Sequence, residues 1–181
     1  MIFKVSTANA ACVGTSFQPQ LNFNRFGMGF ATNSIGPTET LYIAGDSQDN
    51  GAAGIARVDT NNFGLTFVGD PGFSAAELTG TGDGRLFAFY RQTESDPDSW
   101  IGEIDTTNGQ VLGERHFPTV DQGQGWAFAF WGGDFYMFHA PNSQTIVTRW
   151  RPADDSVTDV ATAPPGVNIV GAGVSTCAPQ N

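Results

Sequence analysis

Carboxylates dominate the reactive side chains of this 181-residue chain, with eighteen Asp and Glu against eight Lys and Arg, and the other chemistry-bearing types are scarce. His116 and His139 are its only histidines, and Cys12 and Cys177 its only cysteines. No Cys-x-x-Cys, His-Glu-x-x-His or Gly-x-Ser-x-Gly occurs, so neither zinc-ligand spacing nor a nucleophile elbow is present. His139 closes an apolar run and reads as a strand-end residue rather than a base. The Gly-rich stretches lack a phosphate-loop Lys-Ser/Thr and open no helix, so they read as turns. Glycoside hydrolysis needs two carboxyls about 5 to 10 Å apart at a substrate-sized cavity. Only Glu77 falls on an inner strand, with Asp70 and Asp121 as its nearest companions around the axis, so no catalysis is expected and the chain is read as a non-enzyme.

The remaining carboxylates gather in loops. Asp46, Asp49, Glu94, Asp96 and Asp98 fall in two loops expected on one rim, where they would hold Ca²⁺ or a basic partner, since hard cations prefer carboxylate and carbonyl oxygens. No other cofactor is implied. Among the four tryptophans, Trp126 and Trp131 bound one apolar strand, and with Glu77 they make the candidate ligand site, able to stack on a sugar or peptide.

What positions these residues is a repeat. Ile55-Ala-Arg-Val-Asp59, Ile101-Gly-Glu-Ile-Asp105 and Val147-Thr-Arg-Trp-Arg151 begin 46 residues apart. A period of about 40 to 50 residues built from short strands and turns is the signature of β-propeller blades. The 23 Gly and 10 Pro fall too often for helices, so an all-β fold is expected. Each copy supplies four strands: an inner one (Phe26-Gly-Met-Gly-Phe30, Ala75-Ala-Glu-Leu-Thr79, Trp126-Ala-Phe-Ala-Phe130), a second (Leu41-Tyr-Ile-Ala44, Leu86-Phe-Ala-Phe-Tyr90, Phe135-Tyr-Met-Phe138), the repeated phrase, and an outer one. Small and large residues alternating along the inner strands suit strands that converge where space tapers.

The ends fit the same template in part. Residues 2–7 and 12–17 match third and fourth strands, and Val167-Asn-Ile-Val-Gly-Ala-Gly-Val174 matches an inner one, which makes a composite closing blade that lacks its second strand. A compact four-bladed ring with a three-stranded closing blade is the preferred reading. The alternatives are a fragment of a larger propeller, or a strand donated by another chain. The single domain then divides into 1–20 as outer strands of the closing blade, blades at 21–72, 73–121 and 122–163, and 164–181 as the closing inner strand. In that arrangement Cys12 and Cys177 share a face, and a disulfide between them would close the ring, enclosing about 165 residues for roughly 5 kcal/mol of stabilisation. Such a bond would place the protein in an oxidising compartment.

One local phrase resembles a known family. Thr60-Asn-Asn-Phe-Gly-Leu-Thr-Phe67 resembles the Asp-box of sialidases and related propellers, Ser-x-Asp-x-Gly-x-Thr-Trp, with Asn62 at the Asp and Phe67 at the Trp. In that family the box is a folding element, so the resemblance implies propeller topology. The arginine cluster and tyrosine nucleophile of sialidases have no counterpart here. The run of an apolar strand, Ile-Asp-Thr-x-Asn-Gly and an outer strand is also similar to quinoprotein-type blades.

A net charge of −10 excludes a basic nucleic-acid footprint. No apolar run approaches the ~20 residues of a membrane span, and the start of the chain lacks the unbroken apolar stretch of a signal peptide. The resulting expectation is an acidic, secreted or otherwise extracytoplasmic propeller. It would bind a protein partner, or self-assemble, through its loop rim or an exposed strand edge. The alternative is a carbohydrate-binding or glycosidase-like propeller.

Overall fold

The computed structural model describes residues 1–33, 38–47, 51 and 54–181, and no helix occurs among them. The described residues contain fourteen strands: β1 (Phe3–Val5), β2 (Cys12–Gly14), β3 (Phe26–Thr32), β4 (Glu39–Gly45), β5 (Ile55–Val58), β6 (Leu65–Gly69), β7 (Ala76–Gly80), β8 (Leu86–Tyr90), β9 (Ser99–Ile104), β10 (Val111–Phe117), β11 (Trp126–Trp131), β12 (Asp134–His139), β13 (Ile146–Arg151) and β14 (Ser156–Thr162). They make three four-stranded antiparallel meanders, β3 to β6, β7 to β10 and β11 to β14, plus the two-stranded β1–β2 hairpin. This is a propeller-like arrangement, and every sheet is a contiguous piece of sequence.

Turn chemistry explains the meanders. Gly132 and Gly133 both have positive φ, 61° and 79°, which is what a two-residue turn between β11 and β12 requires. Between third and fourth strands the turns are built by Asp side chains. Asp105 Oδ1 accepts from Thr107 N at 2.8 Å, Asp59 Oδ1 from Asn61 N at 2.9 Å, and Asp154 Oδ1 from Ser156 N at 3.0 Å. The same strand pair carries a register shift in all three sheets, at Ile55/Ala56, Val111/Gly113 and Val147/Thr148. A repeated bulge at one place increases twist there, and nothing in the sequence announces it.

The second strands are buried on both faces, as β8 shows from Leu86 through Tyr90. Two apolar interfaces result. Between the first and second sheets lie Tyr42, Ile55, Phe73, Leu78, Leu86 and Tyr90. Between the second and third lie Phe87, Phe89, Ile101, Phe128, Phe135 and Met137. The inner strand β7 touches both β3 and β11. Its approach to β3 is so close that a Cβ on Gly27 would stand 2.1 Å from Ala76 O, and one on Gly80 2.0 Å from Phe30 O. Glycine is therefore what lets these strands converge.

The closing blade departs from expectation. The β1–β2 hairpin forms, but it packs on the outer face of the first sheet, where Ile2, Phe17 and Phe23 cover Leu41, Ile43 and Val58. Residues 163–181 form no strand. They reach strands or turns of all three sheets, and Ala172 to Val174 line a recess with Met28, Phe30 and Leu78. Thr145 N donates to Val167 O at 3.1 Å, Ile169 N to Thr145 Oγ1 at 2.7 Å, and Gly132 N donates to Pro179 O at 2.9 Å, while Thr176 Oγ1 hydrogen-bonds Glu39 of β4. Among the described residues the inner strands β3 and β11 belong to separate sheets, and no sheet is closed.

The disulfide expected between Cys12 and Cys177 is also absent. Both thiols are free and exposed, because Cys12 travels with the hairpin on the first sheet while Cys177 sits in a turn of the irregular C-terminal segment. Two thiols per chain are therefore expected to react with Ellman's reagent in the native protein, with no change in melting temperature on adding reductant. A count of zero would restore the bridge and with it the composite blade.

Candidate functional site

The three inner strands begin on one face, and their first residues surround an open cavity of about 430 Å³ lined by Arg25, Asp46, Glu77, Gly123 to Gly125, Trp126 and Val170. Alternation along β7 explains how Glu77 arrives there. Leu78 packs against the first sheet, while Thr79 turns toward the third, where its Oγ1 accepts from Phe130 N at 3.2 Å. Glu77 shares the Thr79 side and faces the start of β11, where Trp126 stands. A smaller recess of about 150 Å³, between the first two inner strands, is also lined by Glu77 and Trp126.

Glu77 has no hydrogen bond or ion pair with any described residue, and burial alone pushes its carboxyl up to about 7 from the usual 4.5. Folding thus favours its protonated form. That contribution is complete below pH 4.5 and is lost as pH rises through about 7. Glu77→Gln is accordingly expected to raise the melting temperature by a few degrees at pH 8 and to leave it unchanged near pH 4. The reverse order by calorimetry would mean that an unrecognised cation already pairs with Glu77.

Beside Glu77 the indole Nε1 of Trp126 is buried without an acceptor, and Arg91 Nε and Gln122 Nε2 of the adjoining wall are likewise buried without a partner. The wall is otherwise well tied. Arg91 places its guanidinium 5.9 Å from the Trp126 ring centroid, and its Nη2 donates to Asp121 Oδ1 at 3.2 Å and to Gly123 O at 3.4 Å. Gly123 N donates to Asp121 Oδ1 at 2.9 Å, Gln124 N to Ala140 O at 3.0 Å and Ala140 N to Gln122 O at 3.0 Å. Behind them His139 is buried, with Nδ1 3.0 Å from Asp121 O and Nε2 2.8 Å from Thr148 Oγ1. Burial holds its imidazole below the usual range. With both nitrogens engaged, His139 is a strut, as its strand-end position suggests.

Of the three residues expected at a ligand site, Glu77 and Trp126 line the same cavity. Trp131 does not join them. It lies at the other end of β11, five residues on and so about 17 Å away, half exposed and opposite Asp134. Arg25 and the 123–125 wall carried no motif. Their signal was positional: Arg25 immediately precedes an inner strand and Asp46 immediately follows its hairpin partner, so the two must face each other across the same end of the sheet. They do, with Arg25 Nη2 2.7 Å from Asp46 Oδ2.

Among the described residues the rim acids do not converge on one point. Asp49 lies outside the described residues, and among the described residues no three His, Cys, Asp or Glu side chains come together to hold a metal. The others have local roles. Asp96 Oδ1 accepts from Asp98 N at 3.1 Å, Asp98 Oδ2 lies 2.8 Å from His116 Nε2, and Glu94 offers its backbone carbonyl to Arg91. Asp46 is held by Arg25.

No family model matches the chain, and no curated protein matches it. Among solved structures it is similar to Kuenenia stuttgartiensis hydrazine synthase, at 19% identity and a TM-score of 0.47, over 67% of this chain and 38% of that one. The class that the sheets themselves define is all-β and propeller-like. No helix among the described residues is long and apolar enough to cross a membrane.

Proposed function

We propose that this chain is a non-catalytic binding module whose ligand site is the axial mouth at the rim where the inner strands begin. The observation that carries the reading is the convergence on one open cavity of Glu77, a carboxyl raised by partial burial with no cation beside it, and Trp126, whose buried indole Nε1 lacks an acceptor. Unsatisfied buried polar atoms cost stability, and a site that keeps them, on rigid strands and beside a braced wall, has the character of a ligand site. Catalysis is less well supported, because the second carboxylate in the mouth, Asp46, is tied to Arg25 rather than set opposite Glu77. The free thiols remove the ground on which an oxidising compartment was expected, so location is no part of the proposal.

The test is a saturation-transfer NMR screen of small polar compounds, neutral and charged, against the native chain and Trp126→Ala. Binders are expected to lose their signal in the variant and to be recovered chemically unchanged. Binders that keep full signal in Trp126→Ala would sink the axial mouth as the site.

Assembly is a second reading, favoured by Met28 and Phe30 on β3 and Trp131 on β11, which stay 40 to 53% exposed. Light scattering decides it. A mass above the 19.2 kDa of one chain that falls on Phe30→Asp would support assembly, and a monomer would exclude it.

A further inference from the structure

Charge accounting inside the mouth leaves one group over. Arg25 and Asp46 neutralise each other at 2.7 Å, and Arg91 and Asp121 do so behind Trp126 at 3.2 Å. Glu77 has no cation assigned to it. The whole chain carries −10, so its field concentrates cations rather than anions at an open cleft. An indole ring attracts cations through its quadrupole, and Val170 adds an aliphatic surface to the same lining.

We propose that the mouth receives a primary ammonium group on Glu77, carried on an aliphatic stem that lies against Trp126 and Val170. This rests on the reading of the axial mouth as a ligand site and names what the ligand presents there. A metal ion does not fit the same accounting, because it calls for several convergent oxygens and Glu77 is a lone carboxylate. An anion would meet an uncompensated negative charge. An ammonium supplies three donors from one point charge and remains protonated to about pH 10. The cavity, at about 430 Å³, is far larger than the head group and leaves room for the stem.

A neutral hydroxylic ligand would use Glu77 differently, taking a hydrogen bond from the protonated acid, and the two cases oppose each other in pH. An ammonium needs the carboxylate. Its apparent Kd should therefore be about tenfold weaker at pH 6 than at pH 8, given a carboxyl that titrates at about 7. A hydroxylic ligand should weaken as pH rises over the same interval.

The experiment follows the indole Nε1–H resonance of Trp126, assigned by Trp126→Phe, in ¹⁵N-labelled protein. The chain is titrated separately with 1,5-diaminopentane, with Nα-acetyl-lysine amide and with glucose, at pH 6 and pH 8. Both amines are expected to shift the resonance with the tenfold pH preference, and Glu77→Gln to abolish the shift while its other indole signals stay dispersed, as in a folded chain. Tighter binding of the diamine would point to a free polyamine, and tighter binding of the lysine derivative to a lysine side chain of a protein partner. Equal affinity at both pH values, or an unchanged shift in Glu77→Gln, would overturn the assignment. If glucose moves the resonance and the amines do not, the mouth stands as a ligand site and the ammonium is wrong. If none of the three moves it at millimolar concentration, both ideas fall.

Discussion

Phe128→Ala is expected to lower the free energy of unfolding by about 3–5 kcal/mol, the range for truncating a fully buried phenylalanine. Phe128 is 1% exposed at the junction of the second and third sheets, 5.6 Å from the Phe89 ring and stacked on Phe135 at 5.5 Å. Around it Phe87, Phe130, Met137 and Trp150 complete a core in which no neighbour can move in without leaving its own partner. The loss combines the transfer of the ring, the void it leaves and the aromatic geometry, worth about 0.5–1.5 kcal/mol per pair. Urea titration should show a lower midpoint with an unchanged slope. Trp131→Ala is the contrast, since that larger side chain is half exposed and should cost within about 0.5 kcal/mol. Equal costs for the two would mean that the sheets do not meet through Phe128.

The same contrast shows what could be read from residues alone. Near-continuous apolar runs such as Leu86 to Tyr90 mark strands buried on both faces, and β8 has those bounds. The repeated third-strand phrases locate β5, β9 and β13 to within two residues, because strand–turn punctuation by Asp and Gly is local chemistry. The C-terminal segment shows where local reading stops. Its alternation of Val, Ile and Ala satisfies the pattern of an inner strand. A strand, however, is completed by a partner, and the second strand of that blade is missing, so residues 167–174 join no sheet. The cysteine pairing failed with it, because it depended on the closure.

For the site, position within the repeat was the useful signal, and residue type was not. Glu77 and Trp126 open corresponding inner strands and therefore meet. Trp131 was chosen for its type and ends at the far rim. The rim acids were chosen for charge, yet Asp96 and Asp98 serve a turn and a histidine. A carboxylate in a loop is satisfied by the nearest N–H far more easily than by a shared ion, since the backbone donor is already in place.

Removing residues 1–17 is expected to cost about 3–6 kcal/mol, a large part of the 5–15 kcal/mol by which a domain is ordinarily stable. Ile2 and Phe17 are 6% and 2% exposed, and fully burying side chains of that size contributes about 1.5–3 kcal/mol each. Their loss also bares Leu41 and Ile43 on the outer face of the first sheet and removes the edge contact of Phe17 with Phe26 at 5.6 Å. A full-length Ile2→Ser, Phe17→Ser variant should reproduce most of the effect, whereas Val13→Ser, on an exposed residue, should not. The more discriminating measurement combines the truncation with Phe128→Ala. The hairpin packs on the first sheet and Phe128 between the second and third, so the two losses should add to within about 0.5 kcal/mol. Coupling beyond that would mean that the hairpin reaches the third sheet in solution and closes the ring. Additivity would confine the hairpin to the first sheet in the folded chain.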